Sequence, residues 1–230
     1  MEAHTLEHLV QRLADAPIQT DPYHYFCAEE IFPDEFYQEL IDHIPDTSLF
    51  SQVDGYPQRF CLNLEKENLE QLPFPLFLFW HKFATNIGSA KFAKALLKKF
   101  HFQLNERFGE ALDKIKIGAD LQLVRDQSGY AIGPHTDHPC KILTLLFYLP
   151  TSRDQKHLGT SIYVPKDRSV KYSGHEHHSF DDFIKLSTAP FVPNSVFGFV
   201  RSDCSFHGVE PIHTPEKERV TFCYTIWEQK

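Results

Sequence analysis

From Gly118 onward the chain is written in short apolar runs punctuated by glycine and proline. Leu121 and Leu123, then Ile142, Thr144, Leu146 and Tyr148, then Ile162, Tyr163 and Val164 form strand-like segments, and Gly129, Gly133, Pro134, Pro139, Pro150 and Gly159 separate them. Runs of this length bounded by such breakers read as strands, and several in succession point to a sandwich or barrel. Residues 191–200 and the run Arg219-Val220-Thr221-Phe222-Cys223-Tyr224-Thr225-Ile226-Trp227 extend the pattern.

Before Gly118 the period changes. Leu6, Leu9, Val10 and Leu13 fall near helical spacing and predict a short helix within residues 1–20. Tyr23-His24-Tyr25-Phe26 reads as a short strand, and Pro33 to Ile41 as a helix with proline and acids in its first turn. Residues 46–60 hold turn-formers and read as loop. From about Pro75 to Phe108 one helical pattern continues. Phe92, Leu96, Phe100, Leu104 and Phe108 recur every four residues, with lysine and glutamate on the other side, which is the stripe of a helix packed on a core. No break in composition divides the two halves. The expectation is one domain over 1–230, mainly β with flanking α, in which helical support over about 1–117 buttresses a β core over about 118–230.

Charge and cysteine content narrow the partners. The formal charge is −8, the wrong sign for a phosphate backbone, so no nucleic-acid partner is expected. Lys91, Lys94, Lys98 and Lys99 read as the solvated face of a helix. Five cysteines, an odd number with no CxxC pair, give neither a disulfide framework nor a structural zinc site. No basic start followed by an apolar run marks a secretory signal, and the most apolar stretch, Pro73 to Trp80, is too short to span a bilayer. A soluble, cytoplasmic protein without a membrane partner is expected.

His135-Thr136-Asp137, Ser205-Phe206-His207-Gly208 and Arg219-Val220-Thr221 carry the chemistry. On a strand, residues i and i+2 share a face, so His135 and Asp137 can reach one metal together. His207, which follows the strand-like run Ser195 to Val200, can complete a facial triad of two imidazoles and a carboxylate. Three protein ligands on an octahedral ion leave three positions open, an arrangement that suits Fe(II) and can also take Zn(II), Mn(II) or Ni(II). Arg219 opens an apolar strand, and a buried guanidinium needs an anion. Its planar fork suits a carboxylate ligand; the plainer alternative is a surface salt bridge with Glu216 or Glu218.

With these motifs, roughly residues 118–228 resemble the Fe(II)- and 2-oxoglutarate-dependent oxygenases, especially the prolyl-4-hydroxylase-like branch. Tyr25-Phe26 and Ile31-Phe32-Pro33-Asp34-Glu35-Phe36 are similar to the entry segment of that branch. The resemblance implies a double-stranded β-helix, or jelly roll, flanked by helices. It implies Fe(II) on His135, Asp137 and His207, and 2-oxoglutarate held through its distal carboxylate by Arg219, Thr221 and Tyr148. The implied reaction uses O2 to hydroxylate a C–H bond of the substrate and releases succinate and CO2. The His207-to-Arg219 separation is longer than usual for prolyl hydroxylases, with a Pro-containing acidic loop, Glu210 to Glu216, between. Asp137 is present, so the halogenating branch is not favoured.

Beyond the motif, Tyr130, Lys141, Arg125 and Arg201 are candidates for substrate contact, although Arg125 and Arg201 can equally pair with Asp126 and Asp203. His138 is expected to face away from the metal, and His213 is a weaker alternative to His207. His175, His177 and His178 either form a second metal site or belong to a loop covering the cleft, and the loop reading is preferred. The substrate is left as a small molecule or a peptidyl group. Two other readings stay open: a cupin-like metal-binding or sensor protein without 2-oxoglutarate turnover, and an O2-independent isomerase or hydrolase on a similar barrel. A plain metal binder needs no carboxylate clamp, which favours the oxygenase.

Overall fold

A computed structural model describes residues 1–172, 177–213 and 218–229. In chain order the elements are α1 (Ala3–Asp15), β1 (Tyr25–Glu29), α2 (Asp34–Asp42), β2 (Ser51–Val53), β3 (Tyr56–Asn63), α3 (Lys66–Leu69), α4 (Phe74–Ile87), α5 (Ala90–Lys99) and α6 (His101–Phe108). The strands β4 (Ile117–Asp126), β5 (Ile132–His135), β6 (Lys141–Tyr148), β7 (Ser161–Pro165), β8 (Phe183–Thr188), β9 (Ser195–Val200), β10 (His207–Val209) and β11 (Arg219–Glu228) follow. The strands form a seven-stranded antiparallel sheet, β1-β9-β6-β11-β4-β3-β2, and a four-stranded one, β5-β10-β7-β8. This is the jelly-roll architecture expected from the sequence.

The large sheet has two different faces because side chains alternate along each strand. On β11, Val220, Phe222, Tyr224 and Ile226 pack toward the helices together with Leu143, Leu145 and Phe147 of β6. The helices meet them with one stripe each: Leu6, Leu9 and Leu13 of α1, Phe79, Trp80 and Phe83 of α4, and Phe92 and Leu96 of α5. Those of these side chains that are fully buried contribute about 1.5–3 kcal/mol each. The opposite residues of the same strands face the small sheet, where Tyr148, Phe197, Phe199, Ile162 and Val209 form a second cluster. Gly198 lies on the helix side of β9, where any Cβ would meet the Phe26 ring and Leu145.

The N-terminal half departs from expectation in two places. The stripe from Phe92 to Leu104 is buried as predicted, but the helical region is three helices. Gly88 closes α4, and Ser89 caps α5 by accepting a hydrogen bond from the Phe92 N–H. Residues 46–60, read as loop, hold a hairpin: β2 and β3 turn through Asp54-Gly55, with Gly55 at a φ of +78°. Together with β1, this half supplies three strands of the large sheet. Among the described residues no helix is long and apolar enough to cross a membrane.

Candidate active site

The two imidazoles are brought together by strand register. His207 of β10 stands directly opposite His135 of β5, and the ring centroids are 4.4 Å apart. Asp137 lies just beyond the end of β5 and not on the strand, so the loop after His135 brings its carboxylate in. The ligand atoms of His135, Asp137 and His207 all lie within 4.8 Å of one another. The Nδ1 of His135 sits 2.9 Å from the Gly133 carbonyl, and that of His207 sits 3.0 Å from the Ser205 carbonyl. A carbonyl oxygen only accepts, so each Nδ1 carries the proton and each Nε2 keeps its lone pair for a metal.

Both oxygens of Asp137 are held. Lys141 Nζ donates to Oδ1 at 2.7 Å, and Thr144 Oγ1 donates to Oδ2 at 2.9 Å. Burial alone would push the Asp137 carboxyl up, but Lys141, followed by His207 and His135, outweighs it and holds the group well below the usual carboxylate range. Burial pushes both imidazoles below the ordinary histidine range, helped at His135 by its neighbour His207. The site is therefore one carboxylate and two neutral imidazoles, the donor set a divalent cation requires. Behind Asp137, Arg201 Nε donates to its carbonyl at 3.2 Å and fixes the loop.

A cavity of about 170 Å³ adjoins the cluster, and His135, Asp137, His207, Lys141, Thr160, Arg219 and Arg59 line it. Arg219 is buried, with Nε on the Leu158 carbonyl at 2.8 Å, Nη2 on Thr160 Oγ1 at 3.2 Å and Nη1 on Asp126 at 2.9 Å. Its ion-pair partner is thus Asp126. Glu218 pairs instead with Arg125, and Glu216 lies outside the described residues. Thr221 is cross-strand partner to Tyr148 and shares the inward face of β11 with Arg219. Its hydroxyl is buried without a hydrogen-bond partner among the described residues. Tyr148 Oη accepts from the Thr160 N–H at 3.0 Å and so keeps its own proton to donate. Burial pushes the Tyr148 phenol up to about 12, with Arg219 acting in the opposite sense.

The remaining candidates divide. Lys141 is at the cluster, whereas Arg125 bonds Thr47 and Glu218, away from the cavity lining. Arg201 pairs with Asp203 as well as holding the Asp137 loop. Tyr130 lies under the Arg59 guanidinium. His138 accepts a hydrogen bond from the Cys140 N–H, and His213 is exposed. His177 reaches the site: its ring is 4.6 Å from His135, and its Nδ1 is 2.7 Å from Tyr56 Oη. His178 packs instead on Phe183 and Phe206, and His175 lies outside the described residues. The sequence gives no functional signal for Arg59, Thr144 or Thr160, and marks Asp126 only as a possible partner of Arg125. Their only signal is alternation along β3, β4 and β6 and an isolated threonine after Gly159.

The fold and the His–Asp–His cluster place the chain among double-stranded β-helix proteins with a candidate metal site. The solved structures it resembles make the fold more specific. A prolyl-4-hydroxylase from Pseudomonas putida superposes with a TM-score of 0.54 over 98% of this chain and 100% of its own, at 10% identity. A prolyl hydroxylase from Trichoplax adhaerens, in complex with a hypoxia-inducible-factor peptide fragment, gives 0.53 over 98% and 90%, at 11% identity. No family model matches the chain, and no curated protein matches it in sequence. The fold is thus that of the prolyl hydroxylases.

Proposed function

We propose that this chain is a single-domain Fe(II)- and 2-oxoglutarate-dependent oxygenase that hydroxylates a C–H bond of a small-molecule or peptidyl substrate. The observation that carries the proposal is the convergence of His135, Asp137 and His207, both imidazoles with Nε2 available, on the cavity that Arg219 also lines. Bound there, Fe(II) with 2-oxoglutarate and O2 supplies the oxidising chemistry, with succinate and CO2 as co-products.

The chain's own residues bind and orient. His135, Asp137 and His207 would hold the metal. Lys141 and Thr144 fix the carboxylate so that one of its oxygens stays aimed at the site. Arg219 lines the cavity and would donate to the distal carboxylate of 2-oxoglutarate; the Tyr148 hydroxyl and the unpartnered Thr221 hydroxyl, cross-strand partners outside the cavity lining, would supply two further donors. The cavity is small beside ordinary ligand pockets of ~300–1,000 Å³. It suits the cosubstrate, leaving the substrate to the more exposed side of His135, where the His177 ring stands 4.6 Å away and is bonded to Tyr56.

One observation favours the second reading, a cupin-like metal-binding or sensor protein: Arg219 already has an anion in Asp126. An anaerobic titration of the Fe(II)-loaded protein with 2-oxoglutarate separates the two. A visible charge-transfer band that fades on admitting O2, with succinate formed, supports the oxygenase. Bound Fe(II) with no band removes it.

A further inference from the structure

Three residues on three neighbouring strands stand abreast in the large sheet. Asp126 of β4 is the register partner of Arg219 on β11 and of Arg59 on β3. Arg59 donates to its carboxylate through Nε at 2.7 Å and Nη2 at 3.0 Å, while Arg219 Nη1 reaches the same carboxylate at 2.9 Å. Asp126 itself has no exposure to solvent. Both arginines line the cavity beside the triad.

The charges on this rung decide what it can bind. Arg219 with Asp126 alone is a neutral pair, and a carboxylate arriving there meets the Asp126 charge as well as the guanidinium. Arg59 adds the second positive charge, so the Arg–Asp–Arg unit carries a surplus of one. Its geometry leaves that charge usable. Asp126 occupies the Nε–Nη2 edge of Arg59, and three of its five N–H donors keep no partner among the described residues. The guanidinium carbon stands over the Tyr130 ring, 4.1 Å from its centroid, a cation–π contact that helps hold it in place. The side chain is 23% exposed, so it is neither sealed in the sheet nor free in solvent.

We infer that Arg59 is the second arm of a carboxylate clamp, Arg59–Asp126–Arg219, which takes the distal carboxylate of 2-oxoglutarate. The inference rests on the oxygenase reading and adds a residue from outside the β-rich half that carries the resemblance.

The test is calorimetric and needs no turnover. The Mn(II)-loaded protein is titrated under argon with 2-oxoglutarate and with 2-oxovalerate, which replaces the distal carboxylate by a methyl group. Arg59→Met is expected to weaken 2-oxoglutarate binding about 10- to 100-fold, the loss of a hydrogen bond to a charged group. It should leave 2-oxovalerate and Mn(II) binding within about twofold of wild type, because Arg59 makes no contact with the triad. Arg59→Lys, which keeps the charge and loses the fork, should fall between. Asp126→Asn provides a control of opposite sign: it raises the surplus from one to two and should tighten 2-oxoglutarate, whereas a merely structural rung would weaken it in both variants. Wild-type 2-oxoglutarate affinity in Arg59→Met, or equal losses for the two ligands, overturns the clamp. A wild-type protein that binds Mn(II) but not 2-oxoglutarate removes the oxygenase reading and the clamp with it.

Discussion

Replacing Thr144 by valine keeps the shape of a buried β6 side chain and deletes one donor. Thr144 is 5% exposed, and its hydroxyl holds Oδ2 of Asp137 at 2.9 Å, so no water replaces it easily. A hydrogen bond to a charged acceptor contributes about 1.5–3 kcal/mol. In the metal-free protein Lys141 still holds Oδ1, so only part of that loss appears as stability, about 1–2 kcal/mol. The rest appears as freedom of the carboxylate to rotate about its Lys141 contact, which a metal must remove. Partners of metal ligands are worth roughly 10- to 100-fold in affinity, and the lower end is expected here because one of two anchors survives. Thr144→Ser keeps the hydroxyl and should bind metal like wild type. Competition titrations with Co(II), read by its visible bands, measure the affinity, and urea melts of the metal-free protein measure the stability. If Thr144→Val holds Co(II) as tightly as wild type, Thr144 does not orient the ligand and the account of Asp137 is wrong.

Other consequences are open to measurement. His207→Ala should reduce divalent-metal affinity by more than about 100-fold, and retention of tight Co(II) binding would take His207 out of the proposed triad. In the metal-free protein, burial holds His135 and His207 below the ordinary histidine range, so the unfolded chain takes up protons first as pH falls. The stability they allow is present above about pH 6.5 and declines below it. Urea midpoints between pH 7.5 and 5.5 should therefore fall, and less steeply in His207→Gln; parallel slopes would contradict the assignment. Asn194, at a φ of +56°, accepts from the Phe32 N–H at 2.9 Å and donates to the Phe32 carbonyl at 2.8 Å. Asn194→Ala should cost about 2–4 kcal/mol in chemical denaturation, because both groups are left buried and unpaired; a loss under about 0.5 kcal/mol would show that water takes over.

Which features were readable follows from the range over which each is specified. The buried stripe Phe92, Leu96, Phe100 and Leu104 is a local repeat and survives into the structure residue by residue. The hairpin of β2 and β3 is hard to read from the sequence although Asp54-Gly55 signals a turn, because the strands lie at a sheet edge and their half-exposed side chains blur the alternation. The spacing of His135 and Asp137 is local, and strand register adds His207. In the sequence Asp126 reads only as a possible mate for Arg125. Its true partners, Arg59 and Arg219, depend on the pairing of β3, β4 and β11, which sequence separation hides. Lys141 lies near the motif, where its position in the sequence suggests substrate contact. That it grips Asp137 follows from the turn between them, through which the Lys141 N–H bonds the His138 carbonyl.

The alternation along β11 sets how this protein can change. Val220, Phe222, Tyr224 and Ile226 are locked among the helices, whereas Arg219, Cys223 and Thr225, one position away on the same strand, line the cavity. A substitution on the inward register alters what the cavity accepts while the outward register keeps its packing. The backbone that links them shifts little in either case, since β4 and β6 hold it on both sides. New ligand preferences can therefore accumulate by single steps at Cys223 and Thr225, while Arg219 stays tied to the buried Asp126.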